Sequence, residues 1–470
     1  MPFRILLIHP PISLEGTEAA MEKLHNVTAP LGLAYLAAMV KGLDVKLKIL
    51  DAHLYQMSLR QIEKEVKRFK PDLVGMGTTT ASAVACGKIA RSIKKANKKV
   101  KVVVGGPHII ATGTEMLEVF KGIDIIIPGD AEEAFRELVQ TLLSRKSLKK
   151  SRGIIFRDKR KIVKTKPVPL RPLDEIPFPA WNLLPPLDKY SFQPANYRRK
   201  PQSFIVASRG CPYRCIFCHI SRFRHQIRFR SPKNVVKEIE TLHKKYGINE
   251  FRFADEIFTI NKKWCFEICD RIIEKKLNIS WSCDARADHM TREMAHKLKE
   301  AGCWSISIGI ETGSPRILKR IKKDITLQQV RNTVKYAHEA GLFVRSFFML
   351  GFPFETRDDI EKTIAFAKSC GLDFCQFTYV IPFPGTEIYD ICQKRGVFGK
   401  YGWMTYNASE YTAPVCPPKG VSEEEMKKYF KRAYREFYLR PRLWISYILS
   451  VRGLTDIKRY IRGFKALLEQ

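Results

Sequence analysis

Short apolar runs that alternate with amphipathic segments constrain the fold of this 470-residue chain more than any other feature. Such runs, when they end at Gly, Pro or Asp, are typical of buried strands, and the segments between them are typical of helices. Strands that alternate with helices at this spacing predict a parallel, doubly wound α/β sheet with ligands at the carboxyl ends of its strands. In the first 150 residues the runs are Ile5–Ile8, Val45–Leu50, Leu73–Met76, Val100–Val104 and Asp124–Pro128.

A second series of repeats begins at about residue 201. Six repeats over roughly 180 residues predict a barrel of βα units, complete or partial, with its active site where the strands end. The predicted strands are Phe204–Ala207, Glu250–Phe253, Ile279–Ser282, Trp304–Ile308, Phe343–Leu350 and Phe374–Ile381. The predicted helices are Pro232–Tyr246, Lys262–Lys276, Thr291–Ala301, Thr326–Ala340 and Thr356–Cys370, the last four opened by Thr or Asn at the N-cap.

Two further segments complete the predicted organisation. Residues 151–200 are rich in proline, which predicts a linker between a domain of residues 1–150 and a barrel of residues 201–400. The aromatic residues Trp181, Tyr190 and Phe192 indicate that this linker packs on a neighbour, because solvated linkers are normally polar. Residues 401–470 are expected to be helical, with an acidic start at Glu423–Glu425 that suits a helix N-terminus.

Composition narrows the class of protein. Hydrophobic residues make up 45% of the chain, which excludes disorder over most of its length. The 82 Lys and Arg against 48 Asp and Glu give a net charge of +34, which indicates either an anionic partner or a solvated basic surface. The 12 cysteines are too sparse for a disulfide scaffold. With neither a secretory leader nor an 18-residue apolar stretch in the sequence, we expect a cytoplasmic protein.

Three cysteines lie within eight residues, in the loop that directly follows the first strand of the predicted barrel. The thiolates of Cys211, Cys215 and Cys218 suit three irons of a four-iron four-sulfur cluster, which leaves one iron open to a chelating substrate. The alternative is a structural zinc site completed by His219 or His225. Because zinc sites normally have two separated ligand pairs, the spacing favours the cluster.

The cysteine loop and the motifs after it resemble a known family. The Cys-x-x-x-Cys-x-x-Cys loop, with the aromatic Phe217 before its last cysteine, is similar to that of the radical S-adenosylmethionine (SAM) superfamily. Later segments resemble the strand-end motifs of that superfamily in the same order along the chain. They are Phe253–Phe258, Asp284–Asp288, Gly309–Ser314, Gly351–Thr356 and Ile381–Thr386.

This resemblance implies roles for particular residues. It makes Cys211, Cys215 and Cys218 both the metal ligands and the catalytic centre. A zwitterionic ligand that chelates iron needs a carboxylate for its ammonium and a donor such as Arg286 for its carboxylate or ribose. For any one acidic residue, capping of the next helix is the alternative. The residues implied to contact SAM are Tyr213, Phe217, Asp255, Glu256, Arg286, Glu311 and Gly351.

The amino-terminal domain resembles the Rossmann-like cobalamin-binding domain that precedes the barrel in the cobalamin-dependent branch of this superfamily. A hydroxyl run and a glycine pair, one βα unit apart, follow the third and fourth strands, and a Gly-Asp-x-Glu turn follows the fifth. The residues implied to cradle cobalamin are Thr78, Thr79, Gly105, Gly106, Gly129 and Glu132. Cobalamin domains of mutases carry an Asp-x-His-x-x-Gly motif whose histidine binds cobalt. Asp51 and His53 match this motif in part, but Gln56 stands where it has glycine, so we expect no cobalt ligand from His53.

The resemblance implies an enzyme that uses the iron-sulfur cluster, SAM and cobalamin to functionalise an unactivated carbon, most commonly by methylation. Cyclisation or rearrangement, and a non-enzymatic cobalamin-binding protein with a structural zinc loop, remain alternatives. The expected partners are a small-molecule or lipid substrate and an electron donor such as a flavodoxin or ferredoxin, without specific nucleic acid.

The segment Tyr438–Leu449 mixes Arg with aromatic residues, which indicates either a peripheral membrane contact or a helix that caps the barrel.

Overall fold

The computed structural model describes residues 2–14, 27–159, 161–190, 197–223, 226–399, 402–405, 414–441 and 443–444. The chain divides into two compact units. The first comprises Met1–Ser191, Phe383–Gly385 and Phe398–Ala408, and the second comprises Phe192–Pro382, Thr386–Val397 and Ser409–Gln470.

The first unit contains a doubly wound sheet, as the alternation of strands and helices predicts. Its elements are β1 Phe3–His9, α1 Leu31–Met39, β2 Val45–Asp51, α2 Leu59–Phe69, β3 Leu73–Gly77, α3 Ala83–Ala96, β4 Lys101–Gly105, α4 Pro107–Thr112, α5 Glu115–Val119, β5 Ile125–Ile127, α6 Glu132–Leu143, β6 Ile155–Asp158 and β7 Lys161–Lys164. The strand order is β2-β1-β3-β4-β5-β6-β7, and β1 to β5 are parallel. The loops after these parallel strands therefore lie at one edge, where doubly wound sheets bind ligands.

Part of the segment expected to be a linker instead extends this sheet. Strand β6 pairs antiparallel with the short strand β5, and β7 pairs antiparallel with β6. The prolines that follow this hairpin obscure it in the sequence, although Ile155 and Phe156 are both buried. Trp181 and Tyr190 are also buried, and both belong to the first unit, as the aromatic content of the segment predicts. Phe192 lies outside the described residues.

The second unit contains a six-stranded parallel sheet flanked by helices. Its elements are β8 Gln202–Ile205, β9 Ser208–Arg209, α7 Ile220–Phe223, β10 Arg228–Phe229, α8 Pro232–Tyr246, β11 Glu250–Phe253, α9 Lys262–Glu274, β12 Ser280–Ala285, α10 Arg292–Glu300, β13 Cys303–Glu311, α11 Pro315–Arg320, α12 Leu327–Glu339, β14 Phe343–Leu350, α13 Arg357–Ser369, β15 Phe374–Tyr379, α14 Glu387–Lys394 and α15 Glu423–Tyr438. The strand order β8-β11-β12-β13-β14-β15 follows the chain, as the predicted βα repeats require.

Helix starts in the second unit follow the capping residues seen in the sequence. Asn261, Thr291, Thr326 and Thr356 each accept a hydrogen bond from a backbone amide in the first turn of α9, α10, α12 and α13. These side chains satisfy amides that have no partner inside the helix. Each helix therefore begins where its sequence predicts.

The carboxy-terminal region contains the expected helix, α15, whose Ser422 cap precedes an acidic first turn. In the described part of the chain, no helix has both the length and the apolar character needed to span a membrane. The segment Tyr438–Leu449 extends beyond the described residues after Trp444. Peripheral membrane contact through this segment therefore stays a prediction.

Candidate functional site

The three clustered cysteines lie on one loop at the carboxyl end of β8. Strands β9 and β10 form a short antiparallel ribbon on either side of the loop and α7. Cys215 is 7% exposed, and Cys211 and Cys218 are half-buried. All twelve cysteines lie in the described part of the chain, and none forms a disulfide. Cys265 and Cys269, both on α9, are fully buried.

The loop is anchored at its base and at its middle. At the base, the buried Asp255 accepts hydrogen bonds from the Ser208 hydroxyl (2.5 Å) and the Ala207 amide (3.2 Å). At the middle, the Ile216 amide donates to the Ile321 carbonyl at the end of α11 (3.1 Å). The position of the thiols therefore depends on strand β11 and helix α11.

Asp255 differs in its surroundings from Glu256. Burial raises the pKa of Asp255 to about 7, although the hydrogen bonds from Ser208 and Ala207 act against this rise. Glu256 is half-buried, and its charge acts on Cys211. The sequence predicts both carboxylates as SAM contacts. The structure engages Asp255 in holding the cysteine loop and leaves Glu256 closer to solvent.

The thiols experience burial and nearby charges together. Burial raises the pKa of Cys211, and it raises the pKa of Cys215 to about 11. At Cys215 the Lys323 ammonium opposes this rise most strongly, Arg286 follows, and Glu311 acts in the opposite direction with a smaller effect. The charge of Cys218 acts on both other thiols. The three sulfurs therefore share one electrostatic environment.

Arg286 joins several parts of this environment. Its side chain is buried, lies 3.5 Å from the centre of the Tyr213 ring and pairs with Asp288 (2.8 Å). The guanidinium also donates to the Lys323 carbonyl and to the Asp324 carbonyl, the latter at 3.0 Å. Arg286 therefore ties the end of β12 to the chain after α11 and to the cysteine loop.

Tyr213 extends from the cysteine loop to the segment after β12. Its hydroxyl lies 2.5 Å from His289 Nε2 and 3.4 Å from an Asp288 carboxylate oxygen. Burial raises the pKa of Tyr213 and lowers that of His289. A neutral tyrosine beside a neutral histidine therefore links the loop to the end of the third strand of this sheet.

Glu311 forms the other charged pair at this edge. Its carboxylate lies 2.7 Å from the Lys323 ammonium, and the side chains of Glu311 and Lys323 are 10% and 12% exposed. Glu311 adopts a left-handed φ of 72°, which is uncommon for a residue other than glycine. A Cβ on Gly309, two residues before Glu311, would lie 2.3 Å from Glu311 Oε1 and 2.9 Å from Lys323 Nζ. The pair therefore occupies the space that a side chain at Gly309 would take.

Gly351 begins the turn after β14. It has a φ of 93°, and a Cβ there would lie 3.2 Å from the Met426 side chain of α15. Glu355 accepts the amides of Gly351 (2.7 Å) and Phe352 (3.1 Å) and closes the turn. The Phe352 ring lies 6.2 Å from that of Phe217 in the cysteine loop. Gly351 is buried beneath α15, while Phe217 lies near the turn that Gly351 opens.

In the first unit, the predicted cobalamin residues follow β3, β4 and β5. The Thr78 hydroxyl donates to the Gly105 carbonyl (2.7 Å), and Thr78 is buried. Gly106 has a φ of 104°, and a Cβ there would lie 2.7 Å from the Thr78 carbonyl oxygen. Thr78, Gly105 and Gly106 therefore pack against one another, which gives the glycine at position 106 a reason within the fold itself.

The other predicted residues are more accessible. Thr79 is exposed and shares a hydrogen bond with Ser82 (3.1 Å). Gly129 has a φ of 84°, and a Cβ there would meet nothing within 4 Å. Glu132 is buried in the first turn of α6. Thr79 and Gly129 therefore lie at the surface of the loops that follow β3 and β5.

A histidine and a carboxylate meet at the ends of β1 and β2. His9 Nδ1 lies 2.8 Å from Asp51 Oδ1, and the Tyr190 hydroxyl donates to Asp51 Oδ2 (2.8 Å). Burial acts to raise the pKa of Asp51, but hydrogen bonds from His9, Leu54 and Tyr190 outweigh it and lower the pKa. The His53 ring lies 5.0 Å from the His9 ring. The absence of a cobalt bond to His53 stays a prediction.

Two residues of the cysteine-loop environment are not identified by the sequence reasoning. Lys323 is one of 82 lysine and arginine residues, and no local pattern distinguishes it. His289 follows a predicted motif directly, but a lone histidine is weak evidence for a role. Lys323 lies between α11 and α12. It can be recognised as a candidate only once the end of α11 is known to contact the cysteine loop.

The three thiols of the loop fit the iron-sulfur cluster that the resemblance implies. Three thiols on one loop are a donor set that suits an iron-sulfur cluster, which cysteine thiolates hold. Within the described ranges, no group of three Cys, His, Asp or Glu side chains forms a preformed metal site. Of the two histidines in the zinc alternative, His225 lies outside the described residues, and the His219 ring lies 5.0 Å from the Phe223 ring.

Each half of the sequence matches a protein family. Residues 205–367 match the family described as the radical SAM superfamily. Residues 18–139 match the family described as the B12 binding domain. The first match includes the cysteine loop and the strands β11 to β14, and the second includes the loops after β2 to β5.

Relatives and solved structures extend these matches over nearly the whole chain. An uncharacterized methyltransferase of Pyrococcus horikoshii is 38% identical over 463 residues, which cover 98% of this chain and 97% of the relative. The anaerobic magnesium-protoporphyrin IX monomethyl ester cyclase of Rubrivivax gelatinosus is 27% identical over 93% of this chain and 77% of its own. The fold is similar to that of the radical SAM methyltransferase TsrM of Kitasatospora setae, with a TM-score of 0.72, 16% identity, and coverage of 94% and 90% of the two chains.

Proposed function

The chain belongs to the cobalamin-dependent radical SAM enzymes, and from this premise we propose that it methylates an unactivated carbon of a small-molecule substrate. Its cofactors are a four-iron four-sulfur cluster, SAM and cobalamin, as its two family matches indicate. When bound, these cofactors supply the electron and methyl transfer chemistry. The observation that carries methylation is the 38% identity to a methyltransferase over 98% of the chain.

We assign the cluster to Cys211, Cys215 and Cys218. Their common loop, their shared charges and the burial of Cys215 support this assignment. Loss of a thiol proton accompanies cluster binding, because the thiolate is the ligand. The protein has to exclude water from this loop, and the contacts of Asp255 and Ile216 hold the loop against the sheet.

SAM is assigned to residues around the same loop. Of the three predicted carboxylates, Glu256 suits the SAM ammonium best because it is the most accessible. Asp255 and Glu311 are buried, Asp255 accepts hydrogen bonds from Ser208 and Ala207, and Glu311 pairs with Lys323. Arg286 and Tyr213 then serve as one stacked unit that orients the ligand. Phe217 and the turn that begins at Gly351 supply apolar surface. The support for these assignments is the position of all these residues at the carboxyl ends of β8 to β14.

Cobalamin is assigned to the edge of the first sheet where the loops after β3, β4 and β5 lie. Thr79 and Gly129 are accessible there. The assigned residues are Thr78, Thr79, Gly105, Gly106, Gly129 and Glu132. Thr78, Gly105 and Gly106 shape the loops through their mutual contacts, while Thr79 and Gly129 present groups to the ligand.

Cyclisation is the second candidate reaction, because a relative that matches 93% of the chain is named a cyclase. Both reactions need an external source of electrons. We propose a reduced flavodoxin or ferredoxin, whose acidic surfaces suit a chain with a net charge of +34.

The proposal is tested with protein reconstituted without oxygen from iron and sulfide. With dithionite and SAM, we expect 5′-deoxyadenosine, which mass spectrometry measures. Cys215→Ala should abolish the product because it removes a cluster ligand. Cys265→Ala, which changes a buried cysteine on α9, is the matched control and should retain it.

The reaction type needs a substrate. Metabolites from cells with and without the gene, grown on methyl-deuterated methionine, should differ in a compound that carries the labelled methyl group. An unlabelled cyclised product would favour the second candidate. Zinc in place of iron in the purified wild-type protein, without cleavage of SAM, would reject the proposed function.

A further inference from the structure

Lys323 lies in a short segment whose backbone is unusual on both sides of it. The segment joins α11 to α12, and its residues Lys322 and Asp324 have left-handed φ values of 54° and 52°. Such conformations cost energy in residues other than glycine and are concentrated at functional sites. Lys323 lies between these two residues, so their backbone conformations fix the direction in which its side chain points away from the backbone.

Other parts of the second unit hold this segment in place. The Lys323 amide donates to the Leu318 carbonyl (3.0 Å). Arg286, from the end of β12, donates to the carbonyls of Lys323 and Asp324. The Ile216 amide of the cysteine loop donates to the Ile321 carbonyl (3.1 Å), two residues before Lys323. The segment and the cysteine loop are therefore directly joined.

The Lys323 ammonium is placed beside the cysteine loop rather than in solvent. Its nitrogen lies 5.9 Å from the centre of the Phe217 ring and 2.7 Å from Glu311 Oε1. With about a tenth of each side chain exposed, the pair is screened less than surface charges are. The Lys323 charge therefore lies beside the cysteine loop, at a position with little screening by solvent.

Stability alone does not explain the pair of Lys323 and Glu311. It requires a left-handed Glu311 and the missing side chain at Gly309, and a buried ion pair is weak evidence for stabilisation because both charges lose hydration. The position of the ammonium beside Phe217, in a segment bonded to the cysteine loop, points instead to a role at that loop.

We propose that Lys323 is a positioning residue that raises the reduction potential of the iron-sulfur cluster held by Cys211, Cys215 and Cys218. This inference rests on the proposed function, since it requires that the loop holds the cluster. On reduction the cluster gains one electron from an external donor and no bond forms or breaks. The added negative charge is stabilised by a nearby cation, because net charge, burial and hydrogen bonds around a cluster determine its potential.

The test compares midpoint potentials of reconstituted full-length protein, titrated without SAM with titanium(III) citrate and followed by electron paramagnetic resonance. Iron and sulfide contents and absorption spectra are matched first. Lys323→Met should shift the midpoint to a more negative value, while Lys323→Arg should keep it near that of the wild type. Lys322→Met is the control. It removes the same charge, but Lys322 pairs with Glu387 at a site where both side chains are about half exposed.

A second variant predicts a shift of the opposite sign. Glu311→Gln keeps the shape of the side chain and removes the charge that opposes Lys323, so the midpoint should become more positive. If Lys323→Met takes up no cluster, Glu311→Gln and Lys323→Arg decide the question. An unchanged midpoint in fully loaded Lys323→Met, or a negative shift in Glu311→Gln, would overturn the inference. Wild-type protein that holds zinc instead of a cluster would reject the proposed function itself.

Discussion

At the scale of single residues, Glu355 in the turn after β14 is an unfavourable position for a negative charge. It is 2% exposed, and within the described residues its Oε1 atom has no hydrogen-bond partner. Its other oxygen accepts the amides of Gly351 and Phe352. Burial raises the pKa of Glu355 to about 8, because the charged form loses hydration. At neutral pH the folded protein therefore holds Glu355 mainly as the neutral acid.

This raised pKa predicts a pH dependence of stability with a definite sign. Between about pH 4.5 and 8 the folded protein binds a proton at Glu355 that the unfolded chain has released, so the unfolding free energy falls as pH rises. The contribution is at most about 1.4 kcal/mol per pH unit. Glu355→Gln should flatten this slope in urea unfolding of the apoprotein, whereas Glu424→Gln, an exposed control on α15, should retain it. Parallel pH profiles for wild type and Glu355→Gln would contradict the prediction.

At the scale of elements, helix α15 covers the edge of strand β15. The Tyr434 hydroxyl donates to the Phe377 carbonyl (2.9 Å) and accepts the Phe377 amide (3.2 Å). The Tyr438 hydroxyl does the same at Cys375, with distances of 2.7 and 3.3 Å. Two hydroxyls one helical turn apart thus replace part of a neighbouring strand, which satisfies an edge that would otherwise be open to pairing with another chain.

Removal of these hydroxyls should remove hydrogen bonds to β15 while the aromatic rings stay in the core. Tyr434→Phe and Tyr438→Phe each leave an amide and a carbonyl without a partner, at a cost of about 1–3 kcal/mol. Hydrogen exchange should become faster at the amides of Phe377 and Cys375 respectively. Tyr429→Phe, on the same helix, is the control and should leave exchange in β15 unchanged. Equal protection of β15 in all three variants would show that the hydroxyls do not stabilise it.

At the scale of the whole molecule, the two compact units are not two consecutive pieces of chain. Phe398–Ala408 belongs to the first unit although it follows the strands of the second. Within this segment Trp403 is 1% exposed, its ring lies 4.5 Å from that of His108, and its indole nitrogen donates to Glu115 (2.5 Å). The first unit therefore takes part of its core from a distant part of the sequence.

This arrangement predicts a local effect of a distant substitution. Trp403→Ala should destabilise the first unit by about 3–5 kcal/mol, because it removes a large buried side chain and leaves a cavity. Limited proteolysis and hydrogen exchange should show the change in residues 105–120, where His108 and Glu115 lie. Met404→Ala changes a neighbour that is 40% exposed and should have little effect. Unaltered exchange in residues 105–120 of Trp403→Ala would contradict this prediction.

Features with a local physical cause could be predicted from the amino-acid sequence. Apolar periodicity located both sheets, because buried strands and amphipathic helices each impose their own spacing. Capping side chains located the starts of α9, α10, α12 and α13, because the first amides of a helix need acceptors. The cysteine spacing and the ordered motifs after it indicated the family, because a cluster loop requires its ligands close together along the chain.

Contacts between residues far apart in the chain could be found only in the folded structure. Lys323 reaches the cysteine loop, Asp255 turns to the base of that loop, and Trp403 enters the first unit. The pairing of β6 with β5 likewise depends on where the chain returns to the sheet. Such contacts join residues far apart in sequence, and they follow from how whole helices and strands pack. No spacing within a short segment encodes them.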